Sequence, residues 1–380
     1  MRRTLLVTND FPPTIGGIQS YLRDFINTLP PQDVVVFAST QDAAAAVDWD
    51  DQAAYRVYRW PRHVMLPTPA TARRMQQIIR AENIDVVWFG AAAPLALMAR
   101  AARAAGARRI IASTHGHEVG WSMLPGARQV LRVIGSHCDV VTYISDYTLS
   151  RFRAAFGEPT FEWLPSGVDS HRFSPLSTAQ RQAVRSQLGW RIGGHYVVCI
   201  SRLVPRKGQD QLVRLWPDVL THFPDATLVI VGGGSRRFTA RLRRLAGNLA
   251  DDRIVFTGRV GEEHMSRMLH AADVFAMPCR TRGGGLDVEG LGIVYLEAQA
   301  AGIPVIAGRS GGAPETVIPE SGIVVDGRSQ QDILAALIAL LSDPKRRRDM
   351  GWRGRSFVER SWTWERMGAR LRRILAGSET

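Results

Sequence analysis

The sequence predicts an α/β protein built from two Rossmann-like, doubly wound domains facing each other across a cleft. Three observations predict it. Short apolar runs alternate with helix-length segments almost from end to end. The alternation lapses over a polar stretch from Leu164 to about Gly194 and then restarts. And 380 residues suit two domains of ordinary size better than one core.

In the first series, residues 4–8, 34–38, 84–89, 110–113 and 140–144 read as buried parallel strands, because they are continuously apolar and β-branched rather than alternating. Between them, 18–29, 71–81, 95–105 and 127–136 have helical spacing and length. The polar break holds one short helix near 180–188. Strands at 196–200, 227–231, 254–257, 274–277, 304–307 and 323–325 then repeat the pattern, again separated by helices. Helical segments near 330–341, 345–359 and 363–375 close the chain. The expected boundaries are a first domain at 1–168, a second at 169–362 and a closing helix at 363–380 that crosses back to the first. Ligands of such folds bind beyond the carboxyl ends of the strands, so the loops there are where chemistry is sought.

Composition excludes several classes. Hydrophobic residues at 45% and charged residues at 22% rule out a disordered or fibrous chain. The net charge is +13, and residues 169–380 carry most of it. That favours anionic partners without choosing among phosphates, lipid headgroups and nucleic acid. No helix-turn-helix, zinc or aromatic-basic RNA signature is present, so nucleic acid is not expected. Cys138, Cys199 and Cys279 are sparse, odd in number and without metal-ligand spacing, which points to a reducing compartment. The N-terminus has only three apolar residues, Leu5 to Val7, before Thr8, too few for a signal peptide. No segment is long enough to span a bilayer.

Three constellations carry chemistry. The first, Asn9-Asp10-Phe11-Pro12-Pro13-Thr14-Ile15-Gly16-Gly17-Ile18, is a strand, a stiff loop and paired glycines opening a helix. Glycines let backbone N–H groups approach an anion, and the helix N-terminus adds a favourable dipole. The second, Ser201-Arg202-Leu203-Val204-Pro205-Arg206-Lys207-Gly208, follows a second-domain strand. There Arg202 and Lys207 aim cations that stabilise a leaving diphosphate without a metal. The third runs from Gly283-Gly284-Gly285 through Glu289-Gly290-Leu291-Gly292-Ile293 to Glu297. Glu289 is expected near a helix N-terminus and Glu297 within that helix, two turns plus about 80° on, so the two acids suit different parts of one long ligand. N–H groups from Gly290 to Ile293 suit a phosphate.

Glu289-x7-Glu297, the Ala-Gly-Ile-Pro-Val-Ile-Ala run after it, Ser310-Gly311-Gly312-Ala313-Pro314-Glu315, Arg202-x4-Lys207 and Gly16-Gly17 together resemble glycosyltransferase family 4. The likeness covers nearly the whole chain. Thr8-Asn9-Asp10-Phe11-Pro12-Pro13, Thr114-His115-Gly116-His117-Glu118 and Arg280-Thr281-Arg282-Gly283 bring it nearer to the actinobacterial transferases that use GDP-mannose and a phosphatidylinositol mannoside acceptor. The resemblance implies the GT-B fold and retention of anomeric configuration, with the leaving phosphate helping to deprotonate the acceptor. It implies that Arg202 and Lys207 bind the donor diphosphate, Glu289 the hydroxyls of the transferred sugar and Glu297 the nucleotide ribose. Backbone at Arg259-Val260 would face the base. Gly16, Gly17 and Gln19 would line the acceptor and phosphate side, and His115 would sit against the sugar, with His117 as its rival. No metal and no cofactor are implied. No residue stands out as a covalent nucleophile; Asp10, Glu118 and Asp287 are the candidates the sequence offers.

Two other features invite different readings. Asp48-Trp49-Asp50 matches a metal-binding Asp-x-Asp triplet but reads as a solvated loop, and Gly232-Gly233-Gly234 reads as a tight strand exit. Arg73, Arg74 and Arg80 share a helix with Met75, Ile78 and Ile79, a candidate basic amphipathic surface, and Arg237, Arg241 and Arg244 share a face of a second-domain helix. The expectation is a transferase on the inner face of the plasma membrane, moving mannose from GDP-mannose to a phosphatidylinositol that already bears one mannose. The alternatives are another family 4 transferase with a different donor or acceptor, a GT-B sugar-nucleotide 2-epimerase, and a binding protein without turnover. The Arg-x4-Lys and Glu-x7-Glu frame argues against the epimerase.

Overall fold

The computed structural model describes residues 2–377, which fall into two compact units. One unit runs to Gly167 and resumes at Trp364; the other is Val168–Thr363.

The first unit is built on β1 (Thr4–Thr8), β2 (Val34–Ser39), β3 (Arg56–Trp60), β4 (Val86–Phe89), β5 (Arg109–Ser113), β6 (Val140–Tyr143) and β7 (Thr160–Trp163). They form one parallel sheet in the order β3-β2-β1-β4-β5-β6-β7. Successive side chains of a strand point to opposite faces. Leu5 and Val7 therefore join a core beneath the helices Pro69–Ala81, Pro125–Gly135 and Asp146–Phe156, while Leu6 joins the core beneath Gly17–Ile26 and Trp364–Ala376.

Trp364–Ala376 is thus an integral layer of the first unit. Met367, Leu371, Ile374 and Leu375 are buried in it, the Trp364 ring stands edge-on to Phe25 at 5.0 Å, and Arg109 Nε donates to the Ile374 carbonyl at 2.7 Å. Gly368 allows the close approach: a Cβ there would lie 2.7 Å from Thr28 Cβ.

The second unit has β8 (Tyr196–Ile200), β9 (Thr227–Val231), β10 (Ile254–Gly258), β11 (Val274–Met277), β12 (Val305–Gly308) and β13 (Gly322–Val325). Their order, again all parallel, is β10-β9-β8-β11-β12-β13. Strand order reverses at β1/β4 in one sheet and β8/β11 in the other, and such switch points open a crevice at the carboxyl ends.

Every expected strand is present to within a residue or two. Two further strands, β3 and β7, were not expected. Both are sheet edges, exposed or half-buried along their length, so they lack the apolar run that marks a strand covered on two faces. Asp48-Trp49-Asp50 is not a loop either. It lies in the helix Ala43–Gln52, whose N-cap Asp42 accepts a hydrogen bond from the Ala45 N–H at 3.1 Å.

Candidate active site

In the second unit, β8 runs into a turn that presents Arg202 and Lys207 differently. Gln209, fully buried, donates from Nε2 to Ser201 Oγ at 2.8 Å and to the Arg202 carbonyl at 2.9 Å, fixing the loop from beneath. Gly208 ends the turn at φ +81°, where a Cβ would lie 2.2 Å from the Pro278 carbonyl oxygen, so only glycine brings the turn this close to the β11 exit. Lys207 is drawn inward and buried. Arg202 stays exposed, and its guanidinium makes no hydrogen bond or ion pair among the described residues.

The β11 exit supplies the acid. The Arg282 N–H donates to the Asp287 carbonyl at 2.9 Å and the Asp287 N–H returns to the Arg282 carbonyl at 3.2 Å, closing a tight loop over Gly283, Gly284 and Gly285, all at positive φ. Beyond it, Glu289 is held through its backbone. Its carbonyl accepts from the Gly312 N–H at 3.0 Å, and a Cβ on Gly311 (φ +57°) would lie 1.8 Å from that same oxygen. Lys207 Nζ lies 2.6 Å from Glu289 Oε2 as an ion pair, and Arg206 bonds Asp287 Oδ1 at 3.2 Å. Arg280 Nη2 donates to both carboxylate oxygens of Asp210, at 2.9 Å to Oδ1 and 2.8 Å to Oδ2.

The remaining expected residues of this unit are placed as follows. Glu289 precedes the helix rather than opening it: Gly290, Leu291 and Gly292 intervene, Gly292 caps at φ +86°, and the helix is Ile293–Ala300. The rotation separating Glu289 from Glu297 is therefore set by this loop and not by helical pitch. Glu297 is half-buried inside that helix. Val260 is half-buried just past β10, beside Arg259, whose side chain lies over Gly233 with Cγ 2.8 Å from where a Cβ would be. The structure joins Lys207 directly to Glu289 and leaves Arg202 facing solvent on the same loop.

Sequence reasoning passed over Arg206, Gln209 and the Asp210–Arg280 pair. Arg206 is next to Lys207, yet the signal for its role is Asp287, a partner distant in sequence, while Gln209 braces the same loop from within. Asp287, a nucleophile candidate, is engaged with Arg206.

In the first unit, Gly16 is the extended N-cap of Gly17–Ile26, and a Cβ on it would meet Gln19 Oε1 at 2.3 Å. Gln19 Nε2 donates to Asp10 Oδ1 at 3.0 Å, gathering Gly16, Gln19 and Asp10 at the end of β1. Burial raises the Asp10 pKa, with His117 opposing. Gly17 is exposed with open space around it.

His115 Nε2 is 2.6 Å from the Gly90 carbonyl, and its ring stands edge-on to Tyr21 at 4.9 Å. Burial pushes its pKa down to about 4, so at neutral pH the ring is uncharged and donates Nε2–H to Gly90. His117, by contrast, is exposed. Glu118 is buried and accepts from the His115 and Gly116 N–H groups at 3.1 Å each, a loop brace; burial raises its pKa.

Other candidates are occupied elsewhere. Asp50 is tied to Arg59 at 2.7 Å. Met75, Ile78 and Ile79 are 0%, 2% and 2% exposed, so the apolar side of that helix lies in the core and cannot face a bilayer; Arg73, Arg74 and Arg80 are on its exposed side, with Gln77. The three cysteines are buried, and burial pushes the Cys199 thiol up to about 12 and that of Cys279 to about 11. Among the described residues there is no cluster with the makings of a metal site, and no helix is long and apolar enough to cross a membrane.

Two doubly wound parallel-sheet units, the second with a cationic turn and an acidic loop meeting at its switch point, match the GT-B fold of glycosyltransferases. Solved structures agree on that fold. Sucrose-phosphate synthase from Thermosynechococcus elongatus superposes with TM-score 0.81 at 22% identity, over 99% of this chain and all of that one. HepE of Anabaena, with UDP and glucose, gives 0.79 at 19% over the full length of both chains.

Models for "Glycosyltransferase Family 4" and "Glycosyl transferases group 1" match residues 15–172 and 180–357. A GDP-mannose-dependent monoacylated alpha-(1-6)-phosphatidylinositol monomannoside mannosyltransferase from Corynebacterium glutamicum is 60% identical over 98% of both chains. The corresponding alpha-(1-6)-phosphatidylinositol monomannoside mannosyltransferase of Mycolicibacterium smegmatis is 53% identical over 98% of both. The chain belongs to the family of these mannosyltransferases, within the family 4 glycosyltransferases.

Proposed function

We propose that this enzyme transfers mannose from GDP-mannose to a phosphatidylinositol monomannoside. The observation that carries the reading is the 60% identity over 98% of both chains to an enzyme named for that reaction. The site chemistry supports it. As the sugar–phosphate bond breaks, negative charge grows on the departing diphosphate, where Arg202 and Lys207 stabilise it without reorganising. Glu289 accepts hydrogen bonds from hydroxyls of the transferred mannose, and Glu297 takes the ribose. Backbone at Val260 faces the base, and N–H groups from Gly290 to Ile293 hold the phosphates. In the first unit, Gly16, Gly17 and Gln19 receive the acceptor, and neutral His115 offers its ring to the sugar. The acceptor hydroxyl attacks from the face the diphosphate leaves, which gives its proton to a phosphate oxygen and retains configuration.

The acceptor is a lipid, so we place the enzyme at the cytoplasmic face of the plasma membrane as a peripheral protein. Arg73, Arg74 and Arg80, exposed on one helix, supply the attraction to anionic headgroups. A panel of radiolabelled sugar nucleotides offered with a membrane lipid extract tests the whole reading. Label should pass from GDP-mannose alone into a lipid that already carries one mannose. Transfer from another donor, or release of GDP indifferent to acceptor, would overturn it.

A further inference from the structure

The loop carrying Glu289 is tied to the turn carrying Lys207 by a residue that neither motif singles out. Arg206 sits in that turn, and its carbonyl accepts from the Arg280 N–H at 2.8 Å, joining the turn to the β11 exit. Its side chain reaches across to the acidic loop. Nη1 donates to Asp287 Oδ1 at 3.2 Å, while Nε lies 3.8 Å from Glu289 Oε2. That Nε is buried and has no hydrogen-bond partner. Glu289 therefore faces two cations, Lys207 at 2.6 Å and Arg206 just beyond bonding distance.

The two cations are not equivalent. Lys207 is a compact ammonium on a flexible stem, free to turn towards a phosphate; Arg206 is a planar fork whose far end is already held by Asp287. A diphosphate arriving at this turn competes with Glu289 for Lys207. Losing that partner would leave a buried carboxylate unpaired unless another donor replaces it.

We propose that Arg206 is a positioning residue for the donor sugar: anchored by Asp287, it takes over Glu289 when Lys207 turns to the diphosphate, its free Nε closing 3.8 Å to a hydrogen bond. Glu289 then stays aimed at the sugar throughout. The inference rests on the reading of Glu289 as the sugar contact and of Lys207 as the diphosphate contact.

The test separates nucleotide from sugar. GDP and GDP-mannose are titrated calorimetrically into the unmodified enzyme and into Arg206→Ala, Arg206→Lys and Asp287→Asn. In Arg206→Ala, GDP affinity should fall by no more than about threefold, because freeing Lys207 then leaves Glu289 without a cation, while GDP-mannose affinity should fall about tenfold, because the sugar also loses an aimed Glu289. Asp287→Asn should shift the same way, and Arg206→Lys should recover part of the loss. Equal losses for both ligands, or none for either, overturn the proposal. Should Arg206→Ala misfold, Asp287→Asn, at a more exposed position, carries the same split. Failure of the unmodified enzyme to bind GDP-mannose would instead overturn the donor assignment. Deuterium exchange of residues 281–290 without ligand then decides: faster exchange in Arg206→Ala supports the tie, and unchanged exchange removes it.

Discussion

Lys207 and Glu289 meet as a buried ion pair, Nζ 2.6 Å from Oε2, with side chains only 11% and 7% exposed. They come from the exits of adjacent strands, β8 and β11. Each is costly to bury alone, so the pair presets both groups before any ligand arrives.

Replacing the acid should remove the proposed sugar contact and leave the buried Lys207 ammonium without its partner. Glu289→Gln should lower transfer by about 10²–10³-fold, the usual loss on removing one preorganised hydrogen-bonding group from a reaction centre. Its circular-dichroism spectrum should match that of the unmodified enzyme. Near-normal turnover would take Glu289 out of the site.

The two basic residues should separate in stability although both are proposed to bind diphosphate. Lys207→Ala breaks a buried ion pair, leaving Glu289 only the more distant Arg206, and should cost about 3 kcal/mol of unfolding free energy as well as GDP affinity. Arg202→Ala should weaken GDP binding about tenfold with no change in melting temperature, because an exposed guanidinium without partners carries no folding energy. Calorimetry and thermal unfolding on the same samples check both, and equal melting losses would contradict the burial argument.

Gly311 controls where Glu289 stands. Its φ of +57° disfavours a side chain, and a Cβ would press to 1.8 Å on the Glu289 carbonyl. Gly311→Ala should therefore lose at least about 1–3 kcal/mol of stability and raise the KM for donor, because the acid's backbone must shift. An unchanged KM together with unchanged stability would show that the loop absorbs the methyl.

His115 should remain neutral in the folded enzyme down to acid pH. Its pKa is lowered from 6.5 to about 4, so the unfolded chain takes up a proton first. Stability that His115 contributes is fully present above about 6.5 and is lost as pH falls towards 4. Urea unfolding at pH 7 and pH 5 should show this drop, and His115→Gln should flatten it. A proton NMR titration placing His115 above 6 would refute the assignment.

Removing the last helix should damage the first unit rather than the second. A chain ending at Thr363 loses Met367, Leu371, Ile374 and Leu375 from the core beneath Gly17–Ile26. Limited proteolysis should then cut within residues 2–167 while leaving 168–363 resistant.

Much of this was legible in the sequence, and the reasons differ by feature. The covered strands β1, β8 and β11 announce themselves because both faces are buried and their residues are almost all apolar or β-branched. The glycine loops and the residues Arg202, Lys207 and Glu289 were equally visible, since strand exits place them at the carboxyl edge whatever the rest does. The edge strands β3 and β7 escaped notice because water on one side relaxes that composition. The arginine-bearing helix Pro69–Ala81 misled for the opposite reason: an apolar stripe looks the same whether a core or a bilayer covers it.

The chain order of β and α segments, and with it two doubly wound units and a cationic turn at a strand exit, was determined by the sequence alone, because these are written in residues close together along the chain. Tertiary structure alone decided that His115 spends its Nε2 on Gly90 and that Arg206 grips Asp287 within reach of Glu289. Each of these is a pairing between distant positions. No local pattern encodes such a pairing; it exists only once the sheet has brought its strand ends side by side.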